Sequence, residues 1–297
     1  MNDLRQVIHK NNLKPLGYKY IGKAKIIETD QGVVVYKEKT NNYDTYEYLK
    51  TRGFDNFPRY LNQKNDNYEL LEYIKCKEVP REQKLTDLIH LSAKLHRDTS
   101  YKKEVDMDEI KAIYEKIMKQ VDYLSRYYQD LNEYLDRIVF MSPSEYLLVS
   151  NLDLINYLLS FIRVELNNWY TFMKEKKVIR YSMIHNNLEL DHLLESDKSY
   201  LISWNKARQD MPILDLIKIY EDNYYELDLD NLVKEYEKIN QIDYYEYLFF
   251  LIKLAIPKRI EFTRNTYDDC YKISNYLVYL KKIALMVQKT VEKTKKV

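Results

Sequence analysis

The chain has 297 residues, is 45% hydrophobic and 31% charged, and carries 47 basic against 46 acidic side chains. That composition supports a sizeable core and excludes an intrinsically disordered chain. The formal charge of +1 leaves no electrostatic footprint for nucleic acid or an anionic membrane, so neither is expected as a partner.

The best apolar run, residues 247–256, is too short to cross a bilayer and contains Lys253, so no transmembrane helix is expected. The opening Met1-Asn2-Asp3-Leu4-Arg5 lacks the apolar core of a secretory signal, and a cytoplasmic location is expected. Cys76 and Cys270 stand far apart with no metal-ligand spacing around them. Reduced, buried or half-buried thiols are the expectation. Tyrosine is abundant at 31 residues and glycine scarce at 4, a bias that A/T-rich codons explain. Gly17, Gly22, Gly32 and Gly53 all lie early, so any later turn with positive φ must use Asn, Asp or a strained residue.

Leu4, Val7 and Ile8 predict a helix over residues 3–13, ended by Pro15-Leu16-Gly17. Residues 18–21, 25–29 and 33–38 are short β-rich runs, separated by Gly22 and by Asp30-Gln31-Gly32. Tyr43, Tyr46 and Leu49 restore helical spacing over 41–51, which stops at Gly53. Residues 58–62 and 68–74 read as a further strand pair across a polar turn. From Pro80 the chain turns helical: one helix carries Leu85, Leu88, Ile89, Ala93 and Leu95. A second, long one runs from Ile110 to Leu135, and a third from Tyr146 towards Trp169. Residues 178–184, 193–194 and 200–203 interrupt as short apolar pieces, and helices resume after Pro212 up to a basic tail at 293–296. The outline is α+β: a small antiparallel β lobe over residues 1–78, then a large helical lobe over 79–297.

That order resembles the two-lobe protein-kinase-like fold of the aminoglycoside phosphotransferase and choline kinase branch. Val33-Val34-Val35-Tyr36-Lys37 resembles the strand with the phosphate-binding lysine, and Glu47 falls where the ion-pair glutamate of the next helix sits. Leu91-Ser92-Ala93-Lys94-Leu95-His96 resembles the "LA-x-LH" segment. Residues 183–194, containing His185, Asn186, Asn187 and His192, align with the "HGD-x-x-x-x-N-I-L" catalytic loop. Leu201-Ile202-Ser203-Trp204 aligns with "IDW", and Met211-Pro212-Ile213-Leu214-Asp215-Leu216 with "DP-x-x-DL". Within the branch, "KLHRDTSY" and "MPILDL" look most like the spore-coat kinase-like proteins of the CotS and YutH group. His96-Arg97-Asp98 imitates a protein-kinase triplet, but that motif needs an Asn where this chain has Lys103.

The resemblance implies a degenerate phosphotransferase. In this fold an Asp handles the hydroxyl proton, and an Asn and a second Asp hold Mg²⁺; those three positions read Asn187, His192 and Ser203. An amide cannot accept the proton, a loss usually worth on the order of 10²–10⁴ in rate. His and Ser are poor seats for a hard, carboxylate-seeking ion. Asp191 and Glu189 are the conceivable substitutes, and solvated loop acids are the simpler reading of both. Asp215 resembles the aspartate that braces the catalytic loop. Lys37 and Glu47 are read as the remnant of a cofactor-binding ion pair, and Gly22-Lys23-Ala24 is no phosphate-cradling loop. The expectation is a non-enzymatic pseudokinase with no metal and no cofactor, and with weak or absent nucleotide binding. It would act on protein partners as a scaffold or assembly factor of the cytoplasm or spore coat. The alternatives are a divergent ATP-dependent small-molecule phosphotransferase and a non-catalytic ligand sensor.

Overall fold

The computed structural model describes residues 13–294 apart from 23, 39–42, 63–65 and 264. The helix expected over 3–13 falls outside these except for Leu13. Strands β1 (Pro15–Ile21), β2 (Ala24–Thr29) and β3 (Gly32–Glu38) lead to helix α1 (Tyr43–Thr51) and strand β4 (Tyr68–Glu72). There follow α2 (Arg81–Thr99), β5 (Tyr101–Glu104), α3 (Met107–Leu135), α4 (Pro143–Val149), α5 (Leu152–Lys176) and β6 (Val178–Ile184). The short strands β7 (Leu193–Glu195), β8 (Ser199–Leu201) and β9 (Arg208–Asp210) precede α6 (Ile213–Asn223), α7 (Leu229–Glu237), α8 (Tyr244–Ala255) and α9 (Thr266–Thr294).

Two compact units emerge, each discontinuous in sequence: residues 1–99 with 183–209, and residues 100–182 with 210–297. This grouping differs from a linear division at residue 78, because α2 and the 183–209 segment cluster with the sheet.

In the first unit β1 to β4 form an antiparallel sheet in sequence order. Ile27 pairs with Val34 and Tyr36 with Leu70, and the two-residue period of these strands gathers all four into one buried cluster with Leu13 and Tyr68 against it. Gly53, at φ 77, ends α1. The Phe54 N–H reaches back to the Leu49 carbonyl and the Gly53 N–H to that of Lys50, each at 3.0 Å, a left-handed cap that also buries Phe54 beside Leu49.

The expected fifth strand over 58–62 is reduced to one isolated bridge, Tyr60 to Leu71. Pro58 has no N–H to give. Two main-chain bonds remain, Leu61 N–H to the Leu70 carbonyl and Glu72 N–H to the Arg59 carbonyl, and side chains add to them: the Arg59 N–H bonds to Glu72 Oε1, and the Asn62 amide bonds to the main chain of Tyr68 and Leu70.

In the second unit β5 pairs antiparallel with β6; α5 packs against α3, α8 and α9, and its buried Trp169 lies 4.9 Å from Phe249 of α8 between ring centroids. The single helix expected from Tyr146 to Trp169 is two, with a 42° bend. At the break the Ser150 hydroxyl and the Asn151 amide bond to the carbonyls of Tyr146 and Leu147, competing with main-chain donors. The first piece starts three residues early, on a capping box between Ser142 and Glu145 with Pro143 behind it. Among the described residues no single helix is long and apolar enough to cross a membrane. Cys270 is half-buried, but Cys76 is exposed, against expectation: it lies between β4 and α2, where the chain belongs to neither element.

Candidate functional site

Everything aligned with the catalytic loop belongs to the first unit. The loop is fixed from beneath by Trp204, which is 1% exposed and donates from Nε1 to the Leu201 carbonyl at 2.9 Å. Tyr46, Phe54 and Phe57 pack their rings against it, and His185 stands edge-on at 4.6 Å. His185 is fully buried and its Nε2 bonds to the Ile202 carbonyl at 2.9 Å, so that nitrogen carries the proton. The Ile202 N–H returns to the His192 carbonyl at 3.0 Å, stitching the loop to the segment just after β8 that leads into Ser203.

The three aligned positions behave as follows. Nδ1 of His192 donates to the main-chain oxygen of Asn187 at 2.7 Å, folding the imidazole back onto its own loop. Asn187 is buried, and its Oδ1 accepts from the Lys206 ammonium at 3.0 Å. The neighbouring Asn186 amide bonds to the Lys206 carbonyl at 3.2 Å, so both ends of Lys206 are held by the Asn186-Asn187 pair. Ser203 sits at φ 69 and Asn186 at φ 56, both left-handed. Thus the loop turn that resembles a glycine position uses Asn, and the turn after β8 uses Ser.

A divalent ion does not suit this donor set. Mg²⁺ takes carboxylates and other hard oxygens in octahedral array. Here Asn187 gives its oxygen to a cation already present, His192 is turned away on its protonated nitrogen, and Ser203 offers a neutral hydroxyl. Among the described residues no group of three or more His, Cys, Asp or Glu could hold a metal ion. Glu189 and Asp191 are both exposed on the loop.

The expected Lys37–Glu47 pair is absent from the described contacts. Glu47 pairs with Lys50 on the exposed face of α1, at 3.4 Å. Lys37 is instead opposite Glu69 in the β3–β4 register. Burial pushes the Lys37 amine below the ordinary lysine value, and the Glu69 carboxylate pulls it back up. Glu69 is itself buried; the phenols of Tyr46 and Tyr60 are raised by their own burial, with the Glu69 charge next for Tyr46 and behind the Tyr46 phenol for Tyr60. The cause is register: on β4 the residue facing Lys37 is fixed by alternation, whereas Tyr46 takes the inward position of α1 and leaves Glu47 outside.

His96 is fully buried in α2, and Asp98 pairs with Arg97, so the triplet there is structural. Asp215 is fully buried in the first turn of α6. Sequence reasoning missed Asn56. Its amide donates to the Ser199 carbonyl, its own carbonyl accepts from Leu201, and its side-chain oxygen takes the Lys94 ammonium at 2.7 Å. It missed Lys206 and Glu69 as well; only Glu69 had a legible signal, as the strand residue at the right parity to meet Lys37.

No protein-family model matches the chain, and no curated protein matches it by sequence. Solved structures do resemble it. An aminoglycoside phosphotransferase from Alicyclobacillus acidocaldarius superposes with a TM-score of 0.71 at 12% identity, covering 95% of this chain and 93% of the other. The choline kinase LicA from Streptococcus pneumoniae gives 0.50 at 15% identity, covering 96% and 99%. At such identities the likeness establishes the fold alone: the chain has a kinase-like fold, with an antiparallel sheet at its amino-terminal end and a large helical part.

Proposed function

We propose that this chain is a kinase-fold protein that no longer transfers phosphate and works through protein partners, as a scaffold or assembly factor. One observation carries the reading: the Lys206 ammonium lies on the amide of Asn187, at the position aligned with the proton-accepting aspartate. Phosphoryl transfer in this fold consists of positioning plus charge neutralisation by metal, with a carboxylate to orient the alcohol. Asn187, His192 and Ser203 supply neither. The neighbours by fold are named as a phosphotransferase and a choline kinase, so the loss is a departure from them. A role in the spore coat is the further part of the proposal, and it rests on the likeness of "KLHRDTSY" and "MPILDL" to that group.

The test is transfer from γ-labelled ATP with Mg²⁺ or Mn²⁺, using aminoglycosides, choline and ethanolamine as acceptors. No labelled product above the buffer rate is expected. Label transfer that disappears in Asp191→Ala or Glu189→Ala would identify a working enzyme with a relocated carboxylate.

A further inference from the structure

We propose that the loop around Asn187 is an anion site, receiving a phosphate group directly on the Lys206 ammonium with no divalent metal between them. The inference rests on the non-catalytic reading above and names the ligand chemistry of the same site. A metal-dependent loop presents negative oxygens to a mobile cation, which in turn meets the phosphates. In this chain the order of charges is inverted, because the cation is covalently part of the loop.

Four observations support it. The ammonium of Lys206 has three protons to donate, and the contact to Asn187 Oδ1 at 3.0 Å uses one. Lys206 makes no ion pair among the described residues, and its side chain is exposed, so the charge is available to a ligand. The Asn187 amide is oriented by that contact: its oxygen faces the lysine, leaving the NH₂ as a donor. That NH₂ lies 3.3 Å from His192 Nδ1, which is itself protonated towards the Asn187 carbonyl and cannot accept. The position aligned with the second metal-holding aspartate is Ser203, another neutral donor.

An ammonium and a carboxamide in direct contact are groups that recognise phosphate oxygens, and Ser203 brings a hydroxyl at the head of the turn that carries Lys206. Lys206 is anchored at both ends by Asn186 and Asn187, so its charge is held in place before a ligand arrives. A single fixed charge in place of a divalent ion serves any ligand that presents a terminal phosphate group. Free pyrophosphate and the phosphates of a nucleotide share that chemistry.

The experiment is calorimetric titration of the full chain with inorganic pyrophosphate, and separately with ADP, first in EDTA and then in excess MgCl₂. Binding is expected in EDTA, with no gain in affinity on adding Mg²⁺. Tighter binding of ADP than of pyrophosphate would assign the site to a nucleotide, and the reverse to the free anion. Lys206→Met should weaken binding about tenfold or more, as loss of a charge-assisted contact does. Lys111→Met, an exposed lysine of the other unit paired with Glu115, should change nothing. If Lys206→Met proves unfolded by circular dichroism, Asn187→Asp takes its place. That variant keeps the side-chain shape but sets a carboxylate against the ammonium and the incoming anion, and a similar loss is expected. No binding in EDTA, or binding indifferent to both substitutions, overturns the inference and leaves the non-catalytic reading standing. Binding that requires Mg²⁺ together with transfer from ATP overturns both.

Discussion

After Gly53 the chain has no glycine, yet among the described residues three later ones adopt left-handed backbone: Lys177 at φ 49, Asn186 at φ 56 and Ser203 at φ 69. That such positions must fall on other residues is legible from composition alone. Asn186 is readable too, since it stands at a glycine of the motif it resembles. Lys177 and Ser203 are not, because nothing in a lysine or serine announces the conformation its neighbours impose. Lys177→Gly relieves this at the end of α5 and should stabilise the protein by about 1 kcal/mol in urea unfolding. An unchanged midpoint would mean the left-handed backbone there carries no strain. Lys37 allows a pH test. Burial depresses its amine, so just below the ordinary lysine value the folded chain binds fewer protons than the unfolded one. The stability contributed by this group therefore rises as pH rises through that window. Lys37→Met should flatten the slope of unfolding free energy in the pH range just below the ordinary lysine value. A variant that keeps the wild-type slope would contradict the assignment.

At the scale of elements, packing decided several features that sequence periodicity left open. The spacing of apolar residues located β1 to β4, α1 and the long helices to within a few residues. It could not show that Ser150 and Asn151 would divide one helix, or that Asn62 would take up main-chain partners on β4 itself, because both depend on where side chains turn. Strand β6 carries another feature invisible in sequence. Arg180 and Glu246 of α8 form a bidentate pair at 2.8 and 2.7 Å, with the glutamate only 1% exposed. Glu246 also accepts from the Asp243 N–H at the start of α8, so it serves as cap and counter-ion together. Glu246→Ala should destabilise by about 3–5 kcal/mol, since it strands a buried guanidinium. Replacing both partners by apolar residues should cost much less in the same thermal unfolding assay. The abundant tyrosines also have structural work: Tyr127 and Tyr128 donate to the carbonyls of Ile260 and Lys258, and Tyr276 accepts from the Lys258 N–H. These hydroxyls satisfy a non-helical, glycine-free stretch between α8 and α9. Tyr128→Phe should lower stability by about 1 kcal/mol, with greater losses meaning that the buried carbonyl finds no water.

For the whole molecule, the order of strands and helices was enough to reach the kinase-like fold, and the likeness to a phosphotransferase over 95% of the chain agrees with it. Asn187, His192 and Ser203 were singled out by alignment to a motif alone. What alignment could not supply was the group that lies against Asn187. Lys206 is that group: it stands two residues beyond the "IDW"-like segment, its ammonium on the Asn187 side chain and its carbonyl on the Asn186 amide, between residues Asn186 and Ser203 that both adopt left-handed backbone. The central claim is that this site has exchanged a metal for a tethered cation. Electron paramagnetic resonance of Mn²⁺ added to the protein, with and without ADP, measures metal seating directly. The free-ion signal should remain undiminished beyond that of ADP alone. A protein-bound signal that is lost in Ser203→Ala or Asp191→Ala would contradict the account.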